Sequence, residues 1–96
     1  MLRIGTACGS GLGSSFMVEM NIEKILKEKD IDMSKVKVDH YDLGNASRSD
    51  ADVWVVAKDL ENSVSHLGDV RILNSIIDLD ELEIVVDKII EENNLT

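Results

Sequence analysis

Gly5-Thr6-Ala7-Cys8-Gly9-Ser10-Gly11-Leu12-Gly13-Ser14-Ser15 holds four of the six glycines in the chain and its single cysteine. No charged residue occurs between Ile4 and Val18, although 30% of the chain is charged. The apolar run from Leu2 to Ala7 predicts a strand, and the amphipathic run after the glycines predicts a helix. The cysteine therefore lies where a strand ends and a glycine-rich bend leads into a helix.

Such a bend gathers backbone N–H groups and the positive end of a helix dipole around one point, which favours an anion. Glycine or serine fills five of the six positions after Cys8. In this setting we expect a nucleophilic thiolate instead of a small buried hydrophobic side chain. The stretch predicts a phosphate site with a nucleophile built into it. Its phosphate-binding residues are expected to be Gly9, Ser10, Gly11, Leu12, Gly13, Ser14 and Ser15.

Two apolar side chains flank the predicted site, Leu12 in the bend and Phe16 in the first helical turn. Both lie in the uncharged part of the chain, so we expect them to be exposed and to serve in docking a partner protein. The three alternating glycines match neither G-x-G-x-x-G nor G-x-x-x-x-G-K-[ST], which argues against a nucleotide site. His40 and His66 have no companion cysteines or paired acids, so we expect no metal site.

Length and composition restrict the class of protein. The 96 residues predict one domain, residues 1–96, and 44% hydrophobic content is ordinary for a globular fold. The net charge of −9 argues against a nucleic-acid ligand. We find no secretory signal and no apolar run near the roughly 20 residues that span a bilayer. A single cysteine cannot form an internal disulfide. Together these features predict a cytoplasmic protein without membrane insertion.

Strand and helix patterns alternate along the rest of the chain. The predicted strands are Leu2–Ala7, Val36–Tyr41, Val53–Ala57 and Val70–Leu73. We expect Ser14 or Ser15 to cap the first helix, which stops near Lys29-Asp30, and Asp78 with Glu81 to form a capping box for the last. The segment between Asp42 and Asp52 predicts a loop, and residues 58–66 predict a short helix. We expect the last helix to bury Leu82, Val85, Val86, Ile89 and Ile90.

This alternation predicts an α/β fold: a small, doubly wound, four-stranded parallel sheet in the order 2-1-3-4, with a flavodoxin-like topology. In such sheets a ligand binds beyond the carboxyl ends of the strands, where the strand order reverses between strands 1 and 3. The bend after Cys8 falls at that point. The predicted fold and the predicted site therefore agree.

Residues Cys8–Ser15 resemble the phosphocysteine loop of enzyme IIB of the bacterial sugar phosphotransferase system. The resemblance is to the ascorbate-type proteins, which are related to the galactitol, mannitol and lactose types. It implies that Cys8 accepts a phosphoryl group from a phosphohistidine on IIA. Cys8 would then pass the group to a sugar-like substrate, ascorbate in this type, held by the membrane permease IIC. No metal or organic cofactor is implied.

Two other functions remain open. Low-molecular-weight tyrosine phosphatases share the architecture, but their loop has Arg at the sixth position after the cysteine, where this chain has Ser14. They also need an Asp as general acid, and Asp42, Asp59 and Asp69 are candidates that the sequence does not rank. A regulatory module that senses anions without turnover would use the same loop.

Overall fold

The computed structural model describes residues 1–8 and 13–95, with the backbone alone at residues 13 and 14. The strands and α-helices are β1 (Leu2–Cys8), α1 (Gly13–Glu28), β2 (Val36–Asp42), β3 (Val53–Ala57), β4 (Val70–Leu73) and α2 (Leu79–Glu92). Short 3-10 helices span Arg48–Asp50, Lys58–Ser63 and Ser65–Leu67. The four predicted strands and the two predicted α-helices are thus present. One 3-10 helix lies in the predicted loop between Asp42 and Asp52, and the other two lie in the region where residues 58–66 were predicted to form a short helix. Neither α-helix in the described chain combines the length and the hydropathy needed to cross a bilayer.

The described strands form one parallel sheet in the order β2-β1-β3-β4, which confirms the predicted doubly wound α/β fold. β1 is paired on both sides, with Cys8 opposite Asp42 of β2 and Gly5 opposite Trp54 of β3. β3 is also central and buried on both faces, which is why its sequence is a continuous apolar run. The order reverses between β1 and β3, so the predicted binding edge lies at the carboxyl ends of these two strands.

Both α-helices pack on one face of the sheet. Their buried side chains recur at helical spacing and meet alternate residues of the strands. This cluster comprises Ile4, Val18, Ile22, Ile25, Leu26, Ile31, Val36, Val38, Val53, Val55, Leu73, Leu82, Val86, Ile89 and Ile90. Val85, which the sequence placed in the core, is only partly buried. Burial of each large aliphatic side chain contributes about 1.5–3 kcal/mol before the entropy cost of folding.

The 3-10 helices and loops cover the opposite face. Trp54 is the largest side chain there, and it is completely buried. Its indole lies across β1 at Gly5, where an added Cβ would come within 2.8 Å of the ring. The Tyr41 ring packs at a centroid distance of 5.2 Å. The Trp54 Nε1 has no hydrogen-bond partner among the described residues. Because no hydrogen bond from the described residues positions the indole, its position depends on packing against Gly5 and Tyr41.

The hydrogen bonds at the amino ends of both α-helices differ in part from the prediction. α1 begins at Gly13, so Ser14 and Ser15 lie inside its first turn and the predicted serine cap is wrong. Asp78 does cap α2, accepting hydrogen bonds from the backbone of Asp80 and Glu81. The predicted capping box is not formed, because the Glu81 carboxylate instead accepts hydrogen bonds from the backbone N–H groups of residues 74 and 75, at 2.9 and 3.1 Å. Glu81 thereby ties the β4–α2 connection to the helix.

Candidate functional site

A cavity of about 190 Å³ opens at the carboxyl ends of β1 and β3. Its walls come from these strands, from α1, from the 3-10 helix after β3 and from the segment after β4. The lining residues are Thr6, Ala7, Cys8, Ser15, Val18, Val55, Val56, Ala57, Asp59, Leu60 and Ile76. The cavity lies where the strand order reverses, so the described part of the predicted site is at the position that the topology requires.

The Cys8 thiol is held between the end of β1 and the first turn of α1. Cys8 is buried, and its Sγ lies 3.2 Å from the Ser15 Oγ, within hydrogen-bond distance. The Thr6 Oγ1 donates a hydrogen bond to the Ser15 carbonyl oxygen at 2.8 Å. On the other side, the Cys8 carbonyl oxygen accepts one from the Leu43 N–H at 3.0 Å. These contacts fix the first turn of α1 directly over the sulfur.

The amino end of α1 therefore faces the thiol. Ser15 is the third residue of this helix, and its contact with Cys8 brings the first turn to the sulfur. That turn contains no acidic residue. Backbone N–H groups in a first turn lack partners within the helix, and the helix dipole is positive there. The arrangement favours binding of an anionic group beside the sulfur.

The structure describes only part of the predicted phosphate-binding set. Four members of the set lie outside the described residues: Gly9, Ser10, Gly11 and Leu12. Leu12 is also one of the two predicted docking residues. Gly13 and Ser14 are described by their backbone as the first residues of α1. Ser15 is in contact with the thiol. The phosphate-binding roles of all seven remain predictions.

Phe16, the other predicted docking residue, is exposed over 47% of its surface. Its ring packs against His40 of β2 at a centroid distance of 5.2 Å. The His40 Nδ1 lies 2.8 Å from the Glu19 Oε1, and this contact joins β2 to α1. The sequence placed His40 in a strand correctly but gave no sign of Glu19 as its partner, because the two are far apart in the chain. The role of Phe16 in docking is untested.

An acidic residue lines the cavity although the stretch around Cys8 is uncharged. Among the three acids that the sequence left unranked, Asp59 is on the cavity wall. The Asp42 carboxylate instead accepts a hydrogen bond from the Gly44 N–H at 3.0 Å. The Asp69 carboxylate binds the Arg71 guanidinium at 2.9 Å. Asp59 lies two residues beyond the end of β3, so the rule that places ligands at strand ends could have singled it out.

Residues 1–8 and 13–95 contain no group of three or more His, Cys, Asp or Glu side chains placed to hold a metal ion. The chemistry on which the described site can draw is that of a thiol, two hydroxyls, the amino end of a helix and one carboxylate.

The family model for the lactose/cellobiose-specific IIB subunit of the PTS system matches residues 3–92. The matched segment includes β1 apart from its first residue, the other three strands, both α-helices and the described cavity. No curated protein matches the chain.

Proposed function

We propose that this chain, which belongs to the lactose/cellobiose-specific IIB family of the phosphotransferase system, carries the phosphoryl group on Cys8. Membership of this family indicates that the protein acts as a phosphotransferase in sugar uptake. The observation that supports Cys8 as the carrier is its position: the thiol ends β1 against the amino end of α1, 3.2 Å from the Ser15 hydroxyl. A nucleophile and donors for an anion are thus in one place.

The phosphoryl donor in this proposal is a phosphohistidine on IIA. The Cys8 thiolate attacks phosphorus in line with the departing imidazole, so that an S–P bond forms as the P–N bond breaks. The imidazole of the donor leaves as the neutral base when its other ring nitrogen is already protonated, and otherwise it takes up a proton from water as the P–N bond breaks. The Ser15 hydroxyl and the N–H groups of the first turn of α1 then donate hydrogen bonds to the phosphoryl oxygens.

The onward step reverses these roles. A hydroxyl group of the substrate, bound by the membrane permease IIC at its cytoplasmic side, attacks phosphorus and releases the Cys8 thiolate while its own proton passes to a base or to water. We propose ascorbate as the substrate, because residues Cys8–Ser15 resemble the ascorbate-type loop. Lactose and cellobiose, which the description of the family names, are the competing substrates.

A neutral residue at position 14 suits a carrier. An arginine there would clamp two phosphoryl oxygens, as in the phosphatases, and would favour attack by water. With Ser14, neutral donors would hold the phosphoryl group. They would bind it strongly enough for the phosphocysteine to form and weakly enough for the group to be passed on. Leu12 and Phe16 would provide the apolar rim on which the two partner proteins dock in turn.

The test is transfer from phosphorylated IIA followed by intact-mass measurement. We expect a gain of one phosphoryl group in the wild-type chain and none in the Cys8→Ser variant. Membranes that contain the permease should then transfer the label to ascorbate in preference to lactose or cellobiose. Transfer of the label to lactose or cellobiose instead would refute the assignment of ascorbate as the substrate. An unmodified mass with the donor still phosphorylated would refute the carrier and favour the anion-sensing module.

One observation favours a phosphatase as the second candidate. Asp59 shares the cavity with Cys8, where a general acid for the leaving group would be needed. In that case the protein would hydrolyse an aryl phosphate such as p-nitrophenyl phosphate, and both Cys8→Ser and Asp59→Asn would abolish hydrolysis. We expect negligible turnover, because the clamping arginine is missing.

A further inference from the structure

Asp59 is the one ionisable side chain besides Cys8 on the described cavity wall. It lies in the 3-10 helix Lys58–Ser63, directly after the carboxyl end of β3, and it is exposed to solvent. No lysine or arginine is among the residues that line this cavity. The described wall therefore contains one acidic side chain and no basic one, in the same cavity as the sulfur.

We propose that Asp59 sets the transfer potential of the phosphocysteine, an inference that rests on the proposed function. A phosphoryl group on Cys8 adds about −1.5 to −2 charges to a cavity that already has a carboxylate. Repulsion between these like charges raises the free energy of the phosphorylated state. Asp59 forms no bond to the phosphoryl group in this role. It makes the loaded protein a better donor to the next acceptor.

Two opposing influences would then act on the phosphoryl group. The Ser15 hydroxyl and the amino end of α1 stabilise it, and Asp59 destabilises it. A carrier needs this balance, because a site that only attracted the group would retain it. Since Asp59 is exposed, its effect passes partly through water and weakens as salt is added. A general acid would behave differently, because its removal would slow the reaction at any salt concentration.

The first experiment measures the charge near the sulfur without any partner protein. Iodoacetate and iodoacetamide alkylate the same thiolate and differ mainly in charge, so the ratio of their rates at one pH reports the local potential. We expect Asp59→Asn to raise the iodoacetate-to-iodoacetamide ratio about threefold at low salt and less at high salt. Asp59→Glu should retain the wild-type ratio. An unchanged ratio in Asp59→Asn would overturn the inference.

Glu61→Gln is the matched control. Glu61 is exposed in the same 3-10 helix but does not line the cavity, and its substitution removes the same charge. We expect the alkylation ratio of this variant to stay near that of the wild-type chain. A rise equal to that of Asp59→Asn would show an effect of net charge alone and would overturn the assignment to Asp59.

The second experiment measures the phosphoryl equilibrium with IIA. Asp59→Asn should shift the equilibrium toward the phosphorylated chain by about three- to tenfold and slow onward transfer, while Glu61→Gln should match the wild-type chain. If the wild-type chain forms an adduct and Asp59→Asn behaves like Glu61→Gln, the inference fails and the proposed function stands. If no wild-type adduct forms, both fail. Loss of all transfer in Asp59→Asn would indicate a proton-transfer role and overturn the inference.

Discussion

Replacement of Gly5 by alanine would place a methyl group against the indole of Trp54. The added Cβ would lie 2.8 and 2.9 Å from two ring carbons of Trp54 and 3.0 Å from the Cβ of Ala51. Carbon atoms in ordinary contact are about 3.5–4.0 Å apart, so the ring or β1 must move. Trp54 is completely buried and packs on Tyr41, which leaves the ring little freedom to shift.

The expected cost follows from two opposing terms. Overpacking of a filled interior costs about 1–3 kcal/mol. Alanine recovers about 0.5–1 kcal/mol, because it restricts the unfolded chain more than glycine does. Gly5 is not among the residues with positive φ, so backbone strain adds nothing. The two terms together leave a net loss of about 0–2.5 kcal/mol, and we expect Gly5→Ala to lower the free energy of unfolding by a value near the middle, about 1 kcal/mol.

Urea unfolding followed by far-UV circular dichroism measures this change. Gly44→Ala is the control, because a Cβ there would meet only the Asp42 Oδ1, at an ordinary 3.6 Å. Its unfolding free energy should change by less than about 0.5 kcal/mol. In a Trp54→Leu background, which lacks both ring carbons, most of the penalty of Gly5→Ala should disappear, because only the Ala51 Cβ contact is left. A Gly5→Ala variant more stable than the wild-type chain, or an equal penalty in both backgrounds, would refute the packing argument.

Four further predictions concern the site and stability. Cys8→Ser should keep the circular dichroism spectrum and accept no phosphoryl group from IIA, because a serine hydroxyl there has no base to activate it. Ser15→Ala should slow transfer about tenfold in single-turnover kinetics through loss of one donor near the phosphoryl oxygens. Asp78→Ala should lower the unfolding free energy by about 1 kcal/mol in urea titrations, since it removes the cap of α2. Hydrogen bonds from Arg3 hold the pKa of Asp52 below its ordinary 3.8, so their stabilising effect is present above that pH and is lost as the pH falls below it. Asp52→Asn should therefore reduce the dependence of the unfolding free energy on pH in that acidic range, and an unchanged dependence would contradict the assignment.

The sequence predicted the sheet well because each strand carries a local signal. Residues Val53–Ala57 form an unbroken apolar run, and the structure gives β3 the same bounds. Residues Val70–Leu73 likewise form β4. The strand order came from general rules of chirality and connection, and it is confirmed. Periodicity and topology together therefore placed Cys8 at the correct edge of the sheet.

The site was less predictable where it depends on residues distant in the chain. Serine is a preferred residue at helix caps, but here Ser15 lies inside α1, with its hydroxyl 3.2 Å from the Cys8 sulfur. Asp59 reaches the cavity through the turn after β3, so its place beyond the end of a central strand separates it from Asp42 and Asp69, and no local pattern does. The pairing of His40 with a glutamate likewise depends on how α1 sits on the sheet.

The central position of β1 has a consequence for the order of folding. β1 precedes both neighbours in the chain, yet its ladder needs β2 on one side and β3 on the other. During synthesis on the ribosome, β1 must therefore wait until Val53–Ala57 has emerged before both of its edges are paired. All its strand contacts close long loops, a pattern of high contact order associated with slow folding. Until then β1 has at least one open edge, and nascent chains should be most vulnerable to aggregation in that interval.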